Sequence, residues 1–406
     1  MPRKKGRHFS YESERRIVSC ITCKGRGECG QPVCPIVRRL EELVSLPKIG
    51  SRMEGFTPPE VFVGRFGYPL VRAGPVLPSA RAEELPHLGM NMDEIISARM
   101  GMVRSETKVR VMEADEPGRL LEACQQIAMS SAPVGAEVSF IKPPRRRLQF
   151  DGVLSPTGPS GELAKMEITT NPLIPRKVDQ IVLDRGAPAD VAIAELYSAG
   201  IDIDHLSRLL SIGLLGNKRR LVPTRWSITA SDDMIGKSLK DVVLDFPEVK
   251  GYHLFSGEEL GNHFEVLLFP RPFSFELIEI WRPHSLWAEE GFIGRDGEDA
   301  RPKKGYSPLA GGYYAARLAV LEHLSRWGRQ AGVLAIREIS EDYRIPLGVW
   351  VVREVARKAM SSHPTRFDAL SSAREVMAGR LHTPEVSWLK KAELLTGSTQ
   401  KRLNEF

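Results

Sequence analysis

Cys20, Cys23, Cys29 and Cys34 stand in the spacing C-x2-C-x5-C-x4-C, which places four thiolates within 15 residues. Sulfurs this close can converge on one tetrahedral ion, and Gly25, Gly27 and Gly30 permit the tight turns that aim them inward. A closed four-thiolate shell leaves no position for substrate. The cluster therefore reads as a structural zinc site, with an iron–sulfur cluster as the rival reading. Cys124 stands alone in a helical context, so the cysteines fit one local site in a reducing compartment better than a disulfide framework. Neighbouring Lys and Arg residues lower thiol pKa and suit phosphate contacts. Two glycine patterns carry no such weight. GRGECG has the letters of a dinucleotide fingerprint but neither follows a strand nor opens a helix. Gly236-Lys237-Ser238 resembles the end of a phosphate-binding loop, yet Ser231 stands where its first glycine belongs, so an ATPase is not expected.

The chain closes on Gln400-Lys-Arg-Leu403-Asn-Glu-Phe406, that is Q-x-x-L-x-x-F. In one helical turn Leu403 and Phe406 share a face and can fill an apolar pocket, while Gln400 offers an amide at the same edge. Two apolar anchors on a polar tail need a partner. The pattern resembles the motif by which repair and replication proteins bind the sliding clamp, PCNA, although the fullest form has two consecutive aromatics.

Candidate acid–base groups are scattered. His263 and Glu265 share a face of the strand-like HFEVLLF, His253 lies on the preceding strand, and Glu276 and Glu279 fall on opposite faces of SFELIEIW. Asp232 and Asp233 follow RWSITA, where capping of a short helix explains one carboxylate and metal binding could employ the other. Together with Arg225 these groups could polarise a phosphate, as nucleases do; carboxylates and imidazoles on a solvated sheet surface explain them as well. Two basic tripeptides, Arg145-Arg146-Arg147 and Lys218-Arg219-Arg220, could contact phosphates or form solvated surface runs.

The elements that must position these groups follow from pattern. Pro35 opens a helix in which Ile36, Leu40, Leu43 and Val44 recur at helical spacing. Residues 54–90 alternate turn formers with short β-prone pieces such as Val61-Phe62-Val63. Residues 134–183 read as a sheet: the alternation Val134, Ala136, Val138, Phe140, then KMEITT and DQIVLD. Residues 188–215 read as a helical hairpin, with Gly200 as a stop and Asp202 or Asp204 as a cap. A helix-turn-helix is the weaker reading of that hairpin, because no base-reading polar residues mark a recognition helix. RWSITA and the three segments between 249 and 281 predict strands, the last three as an antiparallel meander. After about residue 310 four helices are expected.

The 406 residues suggest two or three folding units, and a 42% hydrophobic content excludes a disordered chain. The net charge is +6, of which Arg3, Lys4, Lys5 and Arg7 supply four, so the body is nearly neutral and not that of a DNA-coating protein. No apolar run is long enough to span a membrane, and no signal-peptide pattern follows the basic start, so a soluble, cytoplasmic and nucleoid-associated protein is expected.

The cysteine cluster, PPEVFVGRFGYPLVRAGP, LVPTRWSITASDD, PLGVWVVRE and QKRLNEF together resemble the archaeal Nre family of DNA repair proteins over essentially the whole chain. The resemblance implies a repair factor partnered with PCNA through Gln400, Leu403 and Phe406. It brings no assigned catalytic residues. The resulting expectation is an α+β protein in four parts: residues 1–50, a basic arm, four-cysteine zinc module and helix; 51–305, a core with a central mixed or antiparallel sheet and a helical hairpin; 306–395, a helical region; and 396–406, a clamp-binding tail. Function is expected to be that of a clamp-recruited factor touching DNA through the zinc module, the arm and the basic tripeptides. The alternative is a metal-dependent nuclease or nucleotide-processing enzyme employing Arg225, Asp232, Asp233, His263 and Glu265.

Overall fold

The computed structural model describes Cys23, Arg26, Glu28 and residues 34–79, 86–146, 157–285, 288 and 290–396. Its fold is α+β, built on two six-stranded mixed sheets. Cys20, Cys29, Arg147, the basic arm and the Q-x-x-L-x-x-F tail lie outside the described residues.

Helix α1 (Pro35–Ser45) begins on proline directly after Cys34, as the spacing predicts. Its buried face is Ile36, Leu43 and Leu46 with Arg39, whereas Leu40 and Val44, expected to be inward, are exposed. The first sheet comprises β1 (Arg52–Thr57), β2 (Val61–Val63), β3 (Leu70–Pro78), β4 (Met102–Arg110), β5 (Val134–Phe140) and β6 (Ser160–Ile168) in the order β1-β5-β6-β4-β3-β2. Helix α2 (Met92–Met100) precedes β4 behind an Asn91–Glu94 capping box, and α3 (Arg119–Met129) follows it. DQIVLD is not a strand. It lies in α4 (Arg176–Leu183), where Val178 and Ile181 are buried three residues apart, a helical repeat that six letters taken alone could not distinguish from a strand. The hairpin forms as expected from α5 (Ala189–Ser198) and α6 (Ile203–Ser211), with Gly200 at φ +82 and the Asp202 side chain capping the amide of Asp204.

RWSITA is the larger correction. It opens the 20-residue helix α7 (Thr224–Val243), so Asp232 and Asp233 lie in a helix interior and cap nothing. Helix propensities differ by well under 1 kcal/mol among such residues, and the tertiary surroundings decide. Ile235 joins the core of the first sheet and Val243 that of the second.

The second sheet contains β7 (Tyr252–Glu259), β8 (Asn262–Phe269), β9 (Ser274–Trp281), β10 (Phe292–Glu298), β11 (Gly332–Ile339) and β12 (Thr365–Phe367), in the order β10-β9-β11-β8-β7-β12. The expected meander is interrupted, because β11 inserts between β8 and β9, antiparallel to the first and parallel to the second. Helix α8 (Ala310–Trp327) makes the crossover to β11 and packs with α9 (Val349–Met360) on one face. The region expected to be a separate helical part thus supplies a central strand of the sheet, and the expected division at 305/306 does not separate two cores. Helices α10 (Leu370–Arg380), α11 (Glu385–Leu389) and α12 (Glu393–Thr396) cover the other face, the last two replacing one expected helix. Two buried carboxylates fix this layer. Glu338 accepts the amides of His382 and Thr383 at 2.9 and 2.7 Å, and Glu276 accepts those of Glu393 and Leu394 at 2.9 Å.

Candidate functional site

Side-chain parity along β8 decides which of the predicted groups can meet. Phe264, Val266 and Leu268 enter the core beneath α8 and α9, while Leu267 and Phe269 enter the core beneath α10 and α11. His263 and Glu265 share the second face. There His263 Nε2 lies 2.9 Å from Glu265, whose carboxylate also accepts Ser256 Oγ at 2.5 Å and faces Arg380 at 3.5 Å. Burial lowers the His263 pKa, but Glu265, Glu258 and Glu338 together carry it above its ordinary value. His253 is on the opposite face, edge-on to Trp327 in a cavity of about 440 Å³. Glu276 and Glu279 do face opposite sides, Glu279 being paired with Arg337 at 2.7 Å.

Asp232 and Asp233 lie on the α8–α9 side. Arg353 of α9, fully buried, donates to Asp232 at 2.9 Å and to Asp204 at 2.5 Å. The second Asp232 oxygen is buried with no hydrogen-bond partner among the described residues. Burial, only partly offset by Arg353, pushes the Asp232 pKa up to about 6. Asp233 pairs with Arg317 and Lys237, each at 2.7 Å, and Arg317 also reaches Glu298 at 3.0 Å. Gly236 has its explanation here, since a Cβ would stand 2.9 Å from the Arg317 guanidinium. Arg225 is exposed on the first turn of α7. The five predicted residues therefore divide into a buried salt-bridge seam, an exposed arginine and a His–Glu pair behind the sheet.

The basic tripeptides divide as well. Arg146 donates to the carbonyls of Leu46 and Pro47 at 2.9 and 2.6 Å, and the buried Arg219 donates to Val182 O. Arg145, Lys218 and Arg220 remain exposed, and the cleft that Lys218 and Arg220 line also contains Glu113, Asp115 and Glu116. Of the cysteine cluster, Cys23 is buried and its carbonyl accepts the Arg26 side chain at 3.1 Å, while Cys34 stands at the residue before α1.

A different assembly is not visible in the sequence. The segments around 58–75, 221–233 and 346–354 meet at one place. Val63 N donates to Thr224 Oγ1 at 2.9 Å, the Tyr68 and Trp226 rings lie 5.7 Å apart, and Arg353 joins Asp232. Behind them Glu60 pairs with Arg208 at 3.4 Å, its pKa raised by burial against the pull of Arg208. The available signal is the run of aromatic residues among the turn formers of GRFGYP.

Next to this seam, His205 is buried with its Nε2 unpartnered among the described residues, and burial, reinforced by Arg208, lowers its pKa to about 4. The unfolded chain takes up this proton near 6.5, so the contribution is complete above that pH and is lost as pH falls toward 4. The loss approaches ~3 kcal/mol. Asp232, with its raised pKa, acts in the opposite sense over the lower part of that window. His205→Leu is therefore expected to flatten the decline in unfolding free energy between pH 7 and pH 5, measured by urea titration; an unchanged slope would exclude His205 as the cause.

The fold and its seams define a two-sheet α+β protein tied together by buried arginine–carboxylate pairs, with its predicted acid–base residues held apart. The chain belongs to the archaeal Nre family: the family's N-terminal region matches residues 29–288 and its C-terminal region matches 298–406. It is 40% identical over 375 residues to the DNA repair protein NreA of Archaeoglobus fulgidus, covering 91% of this chain and 95% of that protein. It is 34% identical to the DNA repair protein NreB of the same organism, covering 96% of this chain and all of that one. NreA of Haloferax volcanii, also named a DNA repair protein, is 35% identical over 84% of this chain and 85% of its own length. No solved structure matches. Among the described residues no helix is long and apolar enough to cross a membrane.

Proposed function

We propose that the chain is a DNA repair factor recruited to the sliding clamp PCNA by Gln400, Leu403 and Phe406. In this reading Cys20, Cys23, Cys29 and Cys34 hold a structural zinc. The basic arm, Arg145, Lys218 and Arg220 contact phosphate groups. The names of the relatives support the repair role. The observation that favours a recruited factor over a metal-dependent nuclease is the position of His263–Glu265 on one face of the second sheet and Asp232–Asp233 on the other. A two-metal or metal–base centre needs its ligands within a few ångströms of each other, and a sheet with its covering side chains separates these.

Recruitment by a short tail gives a simple test. Removal of residues 400–406 is expected to abolish capture of the chain on immobilised clamp, with an unchanged melting temperature, because that segment follows the last described helix. Capture undiminished by the deletion would refute the tail assignment.

A further inference from the structure

The loop joining β2 to β3 carries two exposed rings and sets one of them beside an exposed ring at the start of α7. Phe66 is 68% exposed, Tyr68 49% and Trp226 48%, although rings of this size ordinarily gain most by burial. They are not on a floppy excursion. Gly67 adopts φ +85, where a Cβ would approach Leu70 O to 2.7 Å, and Leu70 N closes the turn onto Gly67 O at 2.9 Å. Gly64 N bonds Arg72 O at 2.7 Å, and the Val63–Thr224 bond ties the loop to the start of α7, bringing Tyr68 beside Trp226.

Cations accompany the rings. Arg65 stacks over Phe66 at 5.0 Å, and Arg225 is exposed next to Trp226 in sequence. On the adjoining strands Leu70 is opposite Arg110 and Arg72 is opposite Lys108, and all four side chains are exposed. Glu60 pairs with Arg208 and Asp204 with Arg353, whereas Glu106 pairs with Arg72 and Arg104 and Glu113 accepts the Arg110 amide, so Arg65 and Arg225 are the cations these carboxylates leave beside the rings. What remains is a set of exposed π faces accompanied by Arg65 and Arg225.

We propose that this surface binds single-stranded nucleic acid, with unpaired bases stacking on Tyr68, Trp226 and Phe66 and the backbone running along Arg65 and Arg225. Duplex DNA hides its base faces, so the rings select unpaired strands, and stacking is indifferent to sequence because every base has a π face. The proposal rests on the repair-factor reading and assigns it a substrate form. Clamp capture can be measured without DNA, so the two fail separately.

The test is fluorescence anisotropy of a labelled oligothymidylate of about 15 nucleotides with the full-length chain. Tyr68→Ala with Trp226→Ala is expected to weaken binding by roughly 100-fold, from about 1–3 kcal/mol per stacked base. Tyr68→Leu with Trp226→Leu keeps apolar bulk and should lose nearly as much. Arg65→Ala with Arg225→Ala should lower the slope of log affinity against log salt by about 1–2. Melting temperature serves as the folding control, since the altered side chains are exposed or, for Arg65, partly exposed. Absence of measurable binding by the unaltered chain would overturn the proposal, as would wild-type affinity in both aromatic double variants. A loss that follows Lys218→Ala with Arg220→Ala instead would also overturn it and place the strand at the basic tripeptide.

Discussion

Arg353→Met is expected to lower the unfolding free energy by ~3–5 kcal/mol, a large part of what a domain has in reserve. Arg353 is fully buried and is the cation for Asp232, which is itself fully buried, and for the more exposed Asp204. Methionine fills much of the same volume, so the dominant loss is electrostatic: Asp232 is left as an uncompensated charge, with one oxygen already lacking a partner among the described residues. Adding Asp232→Asn removes that charge, and the double variant should be more stable than Arg353→Met alone. The deficit should also shrink at pH 5, because Arg353 holds the Asp232 pKa down and its loss lets the variant's carboxyl take up a proton at higher pH than that of the unaltered chain. Urea titrations of the three proteins at two pH values measure this directly. A double variant worse than the single one would mean that Arg353 acts through packing.

The second large effect concerns the cysteines. Cys20→Ser with Cys23→Ser is expected to remove one zinc per chain, read by elemental analysis of the purified protein. Thiolate coordination of a structural zinc contributes on the order of 10–16 kcal/mol to its small module, so two lost ligands leave no partial site. The rest of the fold should persist, because α1 is held by Ile36, Leu43 and Leu46 in the core of the second sheet. Zinc content unaffected by the double replacement would refute the site, and iron with visible absorbance in the unaltered chain would assign a cluster instead.

Local pattern carries much of the fold. Pro35, Asp202 and Gly200 mark helix boundaries by backbone chemistry that acts within a few residues, and these positions hold. RWSITA and DQIVLD read as strands because a six-residue apolar–polar run fits either period, and the packing that selects helix is remote in sequence. Strand β11 escapes sequence reading for a related reason. GVLAIREI is buried on both faces and lacks the alternation of a half-exposed strand, and it sits between two strong helices. In the candidate site, the pairing of His263 with Glu265 is legible because two residues apart on a strand means one face. The partner of Asp232, 121 residues away, is not. Nor is the meeting of Tyr68 with Trp226, which depends on a loop docking to a helix start 161 residues later through Val63 and Thr224.

Clamp recruitment is tested most directly by retention on DNA that carries a loaded clamp. The full-length chain and a chain ending at residue 396 would be compared on primed single-stranded DNA with and without clamp. Tethering through a second contact raises apparent affinity by about 10²–10⁴-fold. The full chain is therefore expected to be held at least ~100-fold more tightly when the clamp is present, and the shortened chain to gain nothing from it. Equal retention of the two chains on clamp-loaded DNA would contradict recruitment by the tail.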